Sequence, residues 1–440
     1  MLLKTGVVGD KRLGCRRYIQ RYGEAYPTDP TRYLPARRAE PMNILVLNAG
    51  SSSQKCTLYR VQGALPDDPP TPLWEAHQDG SRLVVSAGEA TVRQTLAATD
   101  ARSVLPRLLE TLWDGPTRVI SGPDEIGVVG HRVVHGGRAY SRSTLITPAV
   151  KAAVAQLSPL APAHNPPALA GIEAAQRMLG TTPQVAVFDT AFHSSIPDAA
   201  AVYPGPYAWV EDDIRRYGFH GISHAYSAGR AARLLGRDLA SLRLITCHLG
   251  NGCSLCAVRG GKSMDTTMGF TPLEGLMMGT RSGSIDPGLL LYLLRERGYT
   301  PDTLSDLLNR ESGLKGVSGV SGDLREVTAA VDRGDPRAQL ALDIYVHRVR
   351  FYIGAMLASL GGLDALVFTG GVGEHSDRVR AAVCDAFSFL GLRLDAGKNS
   401  GSPIDTDVAA ADAPVRALVI RAQENWAIAG ECLNVLWGQA

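Results

Sequence analysis

The chain has 440 residues, of which 45% are apolar and 20% charged, and its formal net charge is +2. That length calls for two domains rather than one, and the near-neutral balance excludes a general nucleic-acid or membrane binder. No apolar run approaches the roughly 18 residues that a membrane span requires.

Residues 1–41 are rich in Arg and Tyr and are broken by Pro27, Pro30 and Pro35. They lack the apolar segment of a signal peptide, and Asp10, Glu24, Asp29 and Glu40 argue against a transit peptide. A disordered extension, or a start codon assigned too early, is expected here, with a basic docking arm as the alternative.

From Asn43 the pattern turns to α/β. Asn43 to Leu47 reads as a buried strand, Asn48 to Ser53 as a polar turn, and Lys55 to Val61 as a return strand. Ala64 to Pro72 is a Pro- and Asp-rich loop. A strand is expected over Ile126 to Val134, and helices over Pro148 to Leu157 and Pro166 to Leu179, the latter stopped by Gly180. Val185 to Phe188 is a buried strand ending at Asp189. The second half repeats the opening: strand Leu242 to Cys247, turn His248 to Gly252, strand Cys253 to Arg259. A helix from about Arg337 to Leu360 stops at Gly361-Gly362, and strand Ala365 to Phe368 runs into Thr369 to Glu374. Two halves that open alike, some 200 residues apart, fit two domains of like topology better than a solenoid.

Seven cysteines (15, 56, 247, 253, 256, 384 and 432) form no disulfide framework, which fits a reducing cytosol. Cys253-x-x-Cys256 has no second pair at zinc spacing, so small residues in a buried strand is the plainer reading.

Three glycine turns, at Gly50, at Gly250 to Gly252 and at Gly370 to Gly373, follow buried strands. Glycine lets backbone N–H groups approach phosphate oxygens. A single such turn is more simply a hairpin turn, but three point to a nucleotide. Neither a P-loop nor a dinucleotide fingerprint is present. Arg132 and Arg281 lie in apolar surroundings, where an isolated charge is very costly. Two readings stand: a core Arg–carboxylate pair, or an anion site. Asp189 is either a catalytic group at a strand end or a helix cap. His220 and His224, four apart, could share a helix face. Without a third ligand, zinc is disfavoured, leaving core or capping histidines, or a neutral donor to a phosphoryl group.

Asn48 to Lys55 resembles the N-terminal signature of the acetate and butyrate kinase family. Tyr217 to His224, Thr246 to Pro287, His131 to Gly137, Pro162 to Pro167, Phe188 to His193 and Phe368 to Glu374 are similar to the acetate kinase branch. The likeness spans about Asn43 to the C-terminus. It implies two actin-like (RNase H-like) α/β domains, each with a mixed five-stranded sheet flanked by helices, and a nucleotide in the cleft between them. The division expected is 42–189 plus about 427–440 on the acyl side and 190–426 on the nucleotide side. The resemblance further implies a cytoplasmic homodimer. It would use acetate and ATP, giving acetyl phosphate and ADP, with Mg2+ (or Mn2+ in its place), and would have no nucleic-acid or membrane partner.

By position, the resemblance makes Asp189, Arg132, Arg281 and His220 catalytic, with His220 and Arg281 stabilising the transition state. It puts Arg132, Val134, Ala163, Phe219 and Pro272 around acetate, and Asn48 and Glu424 on the metal side. The nucleotide would meet Lys55, His248, Leu249, Gly250, Asn251, Gly252, Asp323, Leu324, Arg325, Gly371, Val372 and Gly373. His164 and His224 match positions that support the site. The chain departs from the family at Ala163, where Leu is usual, at His375, where Asn is usual, and in residues 1–41, which have no counterpart. A propionate kinase shares nearly every motif. A nucleotide-driven binding module of the actin or Hsp70 type, or a silent relative, would have no use for two arginines and a histidine in the cleft.

Overall fold

The computed structural model describes residues 40–49, 53–97 and 101–438. The expected extension therefore lies almost wholly outside the described residues, as does the glycine turn at 50–52.

The first sheet is built from β1 (Met42–Ala49), β2 (Ser53–Val61), β3 (Trp74–Asp79), β4 (Arg82–Ala87), β5 (Ala90–Thr95), β6 (Ile126–Val133), β7 (Thr144–Leu145) and β8 (Gln184–Phe188). Its order is β5-β4-β3-β2-β1-β6-β8-β7. The second contains β9 (Arg243–Leu249), β10 (Cys253–Arg259), β11 (Lys262–Thr266), β12 (Ala365–Thr369), β13 (Thr406–Asp407) and β14 (Arg416–Val419), in the order β11-β10-β9-β12-β14-β13.

The five-stranded sheets expected from the resemblance are present as cores, but among the described residues the sheets have eight and six strands. In β3-β2-β1-β6-β8 and in β11-β10-β9-β12-β14 the first three strands are antiparallel and the last two join in parallel. The repeated opening of the two halves is thus a repeated topology. The first sheet is widened by the β4–β5 hairpin, and both carry a two-residue edge strand. Sequence reading missed β3, although its alternating burial, Trp74 and Ala76 in and Glu75 and His77 out, is the period-2 signature of a half-buried strand.

Four helices matter for the site: α1 (Asn165–Leu179), α2 (Gly221–Leu234), α3 (Pro336–Leu360) and α4 (Glu424–Trp437). Their ends follow local chemistry. Gly180 after α1 and Gly361 after α3 have positive φ (59° and 67°), and the Asp335 carboxylate caps α3 by accepting from Arg337 and Ala338 N–H. In β1, Leu45 and Leu47 pack with Leu105, Leu108 and Ala174, while Ile44 and Val46 pack with Trp426, Ile428 and Cys432 of α4. The last helix therefore returns to the first sheet. In β9, Ile245 and Cys247 face α3, and Leu244 faces Ala228 and Ala231 of α2. Ile222 of α2 joins the α4 cluster, so α2 is packed against both halves.

Candidate active site

β6 and β8 run in parallel, so their C-terminal ends sit side by side, with Arg132 in register with Val187. Asp189, one residue past β8, accepts from both edges of the Arg132 fork: Nε to Oδ1 at 3.1 Å and Nη2 to Oδ2 at 2.6 Å. The two side chains are 12% and 2% exposed. Burial raises the Asp189 carboxyl from its ordinary value against the pull of Arg132. Burial also lowers Arg132, but Asp189 and Glu424 more than offset this and hold it above its ordinary value. The core-pair reading is thus right for Arg132, yet Nη1 is left over for a second anion. Asp189 is no helix cap through its side chain; instead its carbonyl accepts from Gly221 N–H at 2.9 Å. A Cβ at Gly221 would come within 2.2 Å of that oxygen, so only glycine lets α2 dock there.

Arg281 differs. Among the described residues it has no carboxylate partner; Nη1 donates to the Pro272 carbonyl at 2.9 Å and reaches Met278 Sδ at 3.7 Å. Burial draws the guanidinium below its ordinary value, and the charge of Arg132 adds to the fall. Two half-buried guanidiniums that repel one another form a site that an anion would relieve.

His220 precedes α2 in the left-handed region (φ 58°), rare for a residue with a Cβ. The turn is held from outside: His193 Nε2 bonds the Phe219 carbonyl at 2.9 Å, and a Cβ on Gly218 would strike the His193 ring at 2.7 Å. His220 stacks on His248 with centroids 4.3 Å apart, and its Nδ1 lies 2.9 Å from Ser254 Oγ. Burial, then His248, Arg132, His224 and Arg281, press its pKa well below the ordinary value, so the ring is neutral. Burial and Arg132 also lower His248, against Glu424. His164 is lowered to about 3 by burial, Arg132 and Arg281, which places it in the same field. The two thiols of the C-x-x-C pair are pushed up to about 11 and about 12 by burial and are not thiolates.

Glu424 opens α4, and its Oε2 accepts from Asn48 Nδ2 at 3.2 Å; the same amide donates to Asn425 Oδ1 at 2.9 Å. Burial raises the Glu424 carboxyl, but Arg132, His248, Asn48 and Lys55 together hold it below its ordinary value. An ionised carboxylate beside an amide whose oxygen is still available is a hard-oxygen donor set. It suits a divalent ion that keeps most of its waters and takes the rest of its ligands from phosphate. Lys55 is exposed on β2, in register with Asn48.

On the second sheet, His248 and Leu249 end β9 and Gly250 to Gly252 turn into β10. A Cβ on Gly252 would lie 3.4 Å from His220 Nε2 and 3.7 Å from Arg281 Nη1, so this turn borders both groups. Gly279 N–H donates to Asn251 O at 3.0 Å, and Gly322 packs on Gly279, which brings the 323–325 segment alongside. Asp323 caps the helix that starts at Leu324; Leu324 is buried, and the Arg325 side chain, paired with Asp323, is 89% exposed. Gly370 (φ 77°) backs onto Leu249, where a Cβ would sit 2.9 Å from the Leu249 oxygen. Gly371 is exposed, Val372 half-buried and Gly373 buried.

Two groups escaped sequence reading. Glu374 Oε1 accepts from the N–H groups of Gly370 and Ala422, tying the third glycine segment, which folds as a short helix (Gly370–His375) rather than the expected turn, to the segment that leads into Glu424. Arg380, fully buried, spends its whole fork on neutral acceptors: Asn399 Oδ1 and the carbonyls of Gly373, Glu374, Asn399 and Gly401. In the sequence it is one arginine among several near Asp377, without a local signal.

The apolar wall is only partly as expected. Val134 and Phe219 are buried in one cluster with Ala161, Pro272 is half-buried, and Ala163 is exposed on the 161–164 turn. His375 bonds Ser402 Oγ through Nδ1 at 2.8 Å on the surface. A separate groove of about 570 Å³ between α2 and α4, floored by Ile222, Tyr226 and Trp426, contains none of these groups.

The model of the acetokinase family matches residues 43–430. Over 399 residues the chain is 61% identical to an acetate kinase of Gloeobacter violaceus, which covers 89% of this chain and 98% of that protein. Among solved structures it is similar to acetate kinase of Porphyromonas gingivalis, with TM-score 0.81, 39% identity and coverage of 90% of this chain and 100% of that one. It is also similar to a propionate kinase of Francisella tularensis, with TM-score 0.81, 37% identity and the same coverage.

Proposed function

The chain belongs to the acetokinase family, and from that membership we propose that its cleft moves a phosphoryl group between ATP and acetate, with acetyl phosphate and ADP as the other pair. The chain is a phosphotransferase with a carboxylate acceptor. The observation that carries the assignment of roles is the convergence of Arg281, which has no carboxylate partner among the described residues, with Arg132, neutral His220 and the Gly252 turn. Phosphoryl transfer asks a protein mainly to align two anions and to neutralise charge on the equatorial oxygens.

In this reading Arg132, oriented by Asp189, holds the acetate carboxylate and one face of the phosphoryl group. Arg281 and His220 stabilise its equatorial oxygens. An acetate oxygen forms the new bond to the γ-phosphorus in line with the breaking bond to ADP. The carboxylate is already charged at neutral pH, so no strong general base is needed. Asn48 and Glu424 would hold Mg2+, which when bound neutralises charge on the phosphates. His248 to Gly252, Asp323 to Arg325 and Gly371 to Gly373 support the nucleotide, with Lys55 at the phosphate end. Val134, Phe219 and Pro272 bound the acetate methyl.

The domain division proposed is 42–189 with 427–440, and 190–426; the return of α4 to the first sheet supports it. A homodimer is also proposed. Leu289, Leu291 and Tyr292, and Leu340 and Phe351 of α3, are large apolar side chains left exposed in the second half. No helix among the described residues is long and apolar enough to cross a membrane; a cytoplasmic location is proposed on the free, buried thiols.

The test is a coupled assay for acetyl phosphate made from acetate, ATP and Mg2+; none formed by folded protein overturns the assignment. Propionate is the second reading, favoured by Ala163, which is smaller than the Leu usual in the family. An Ala163→Leu chain is expected to discriminate more strongly against propionate. One methylene in an apolar pocket is worth roughly 10–200-fold in kcat/KM. Because Ala163 is exposed, the effect should fall at the low end of that range. An unchanged propionate-to-acetate ratio would remove Ala163 from the pocket.

A further inference from the structure

Behind His220 lies a row of buried side chains from three elements. Thr246 Oγ1 of β9 is 2.7 Å from His224 Nδ1 of α2. His224 Nε2 is 2.7 Å from Ser254 Oγ of β10, and that oxygen is 2.9 Å from His220 Nδ1. Thr246, His224 and Ser254 are all fully buried, so water does not enter the row. The far edge of the His220 ring, Nε2, faces the Gly252 turn and Arg281.

A hydroxyl has one proton to give and a neutral imidazole has one N–H, so the direction of each bond sets the direction of the next. Two arrangements satisfy all three bonds and leave no hydroxyl proton unpaired; a third, in which Ser254 accepts from both rings, strands its own O–H in a fully buried row and is disfavoured. In the first, Thr246 donates to His224 Nδ1, His224 Nε2–H donates to Ser254, Ser254 donates to His220 Nδ1, and His220 carries its proton on Nε2. In the second every direction reverses. Thr246 then gives its proton to the Cys256 carbonyl across 3.4 Å, and His220 Nε2 is bare. The second gains only that long bond. The first gains a charge-assisted bond as soon as an anionic oxygen meets Nε2, and such bonds are about twice as strong as neutral ones.

We propose that Thr246, His224 and Ser254 form a hydrogen-bond relay that holds His220 as the Nε2–H tautomer, so that it presents a neutral donor to the transferring phosphoryl group. The three are positioning residues, acting through His220. The relay rests on the phosphoryl-transfer reading above and adds how the histidine is kept in the donating form without a charge.

The test uses the full chain labelled with 15N histidine, with Mg2+-ATP as the probe. The parent should show His220 protonated at Nε2 and bare at Nδ1, its signal identified by its loss in His220→Gln. Ser254→Ala should give mixed tautomers and lower kcat on the order of 10-fold, the scale for outer partners of a functional imidazole, with both KM values nearly unchanged. In a His220→Ala background the same change should cost nothing further. His224→Gln, which keeps an N–H directed at Ser254, should retain most of the turnover that His224→Met loses; this pair guards against a Ser254 variant that folds poorly. Unchanged tautomer and kcat in folded Ser254→Ala, or an equal loss without His220, overturns the relay while acetyl phosphate formation by the parent leaves the phosphoryl-transfer reading standing. Absence of acetyl phosphate from the parent overturns both.

Discussion

Replacing Arg281 with Ala is expected to lower kcat on the order of 10³-fold, the scale for an arginine that stabilises phosphoryl-transfer charge, while leaving the fold at least as stable as before. The stability half of this prediction follows from its partners. Arg281 donates to one carbonyl and has no carboxylate partner among the described residues, so in the unliganded protein its half-buried charge is not offset by an opposite one. Arg132→Ala should reduce kcat comparably but behave oppositely in unfolding. It strands the Asp189 carboxylate, 2% exposed, and breaking a buried pair from one side costs about 3 kcal/mol or more. Steady-state kinetics with urea unfolding on the two variants separates the roles. Near-normal turnover in folded Arg281→Ala would remove that residue from the mechanism. A large stability loss there would mean that it is structural.

The second large effect is expected far from the reacting atoms. Arg380→Met keeps the apolar stem but deletes the fork that satisfies Asn399 Oδ1 and four carbonyls, two of them at Gly373 and Glu374. Each buried acceptor left unpaired costs roughly 1–3 kcal/mol, so a loss of about 3 kcal/mol or more in unfolding free energy is expected. Because the same fork holds the end of the short helix Gly370–His375, the KM for ATP should rise while that for acetate stays near its parent value. Equal rises in both would show that the arginine supports the whole body rather than the Gly370–His375 helix.

Family membership was legible in the sequence because it rests on long ordered motifs, and the elements were legible wherever local chemistry dictates the backbone. The continuous apolar run 44–47 must face two layers, Gly180 and Gly361 take positive φ at helix ends, and Asp335 caps α3. The pairing of like halves was also readable, since strand, glycine turn and strand recur. Strand β3 was readable in principle and was missed.

The site was legible as a set of residue types but not as an arrangement. Nothing near Arg132 in the chain says that its fork closes on Asp189, 57 residues on, nor that Asn48 meets Glu424 across 376 residues. That Arg281 finds no carboxylate is a fact about its surroundings and has no local trace. Sequence alone determined the family, the α/β class and the candidate groups, because these depend on residue type and short-range backbone preference. Tertiary structure alone decided which charges are paired, which imidazole nitrogen faces the Gly252 turn and which arginine supports the Gly370–His375 helix. Electrostatic and hydrogen-bond energies depend on distance, direction and burial, and in this chain those are set by contacts between residues far apart in sequence.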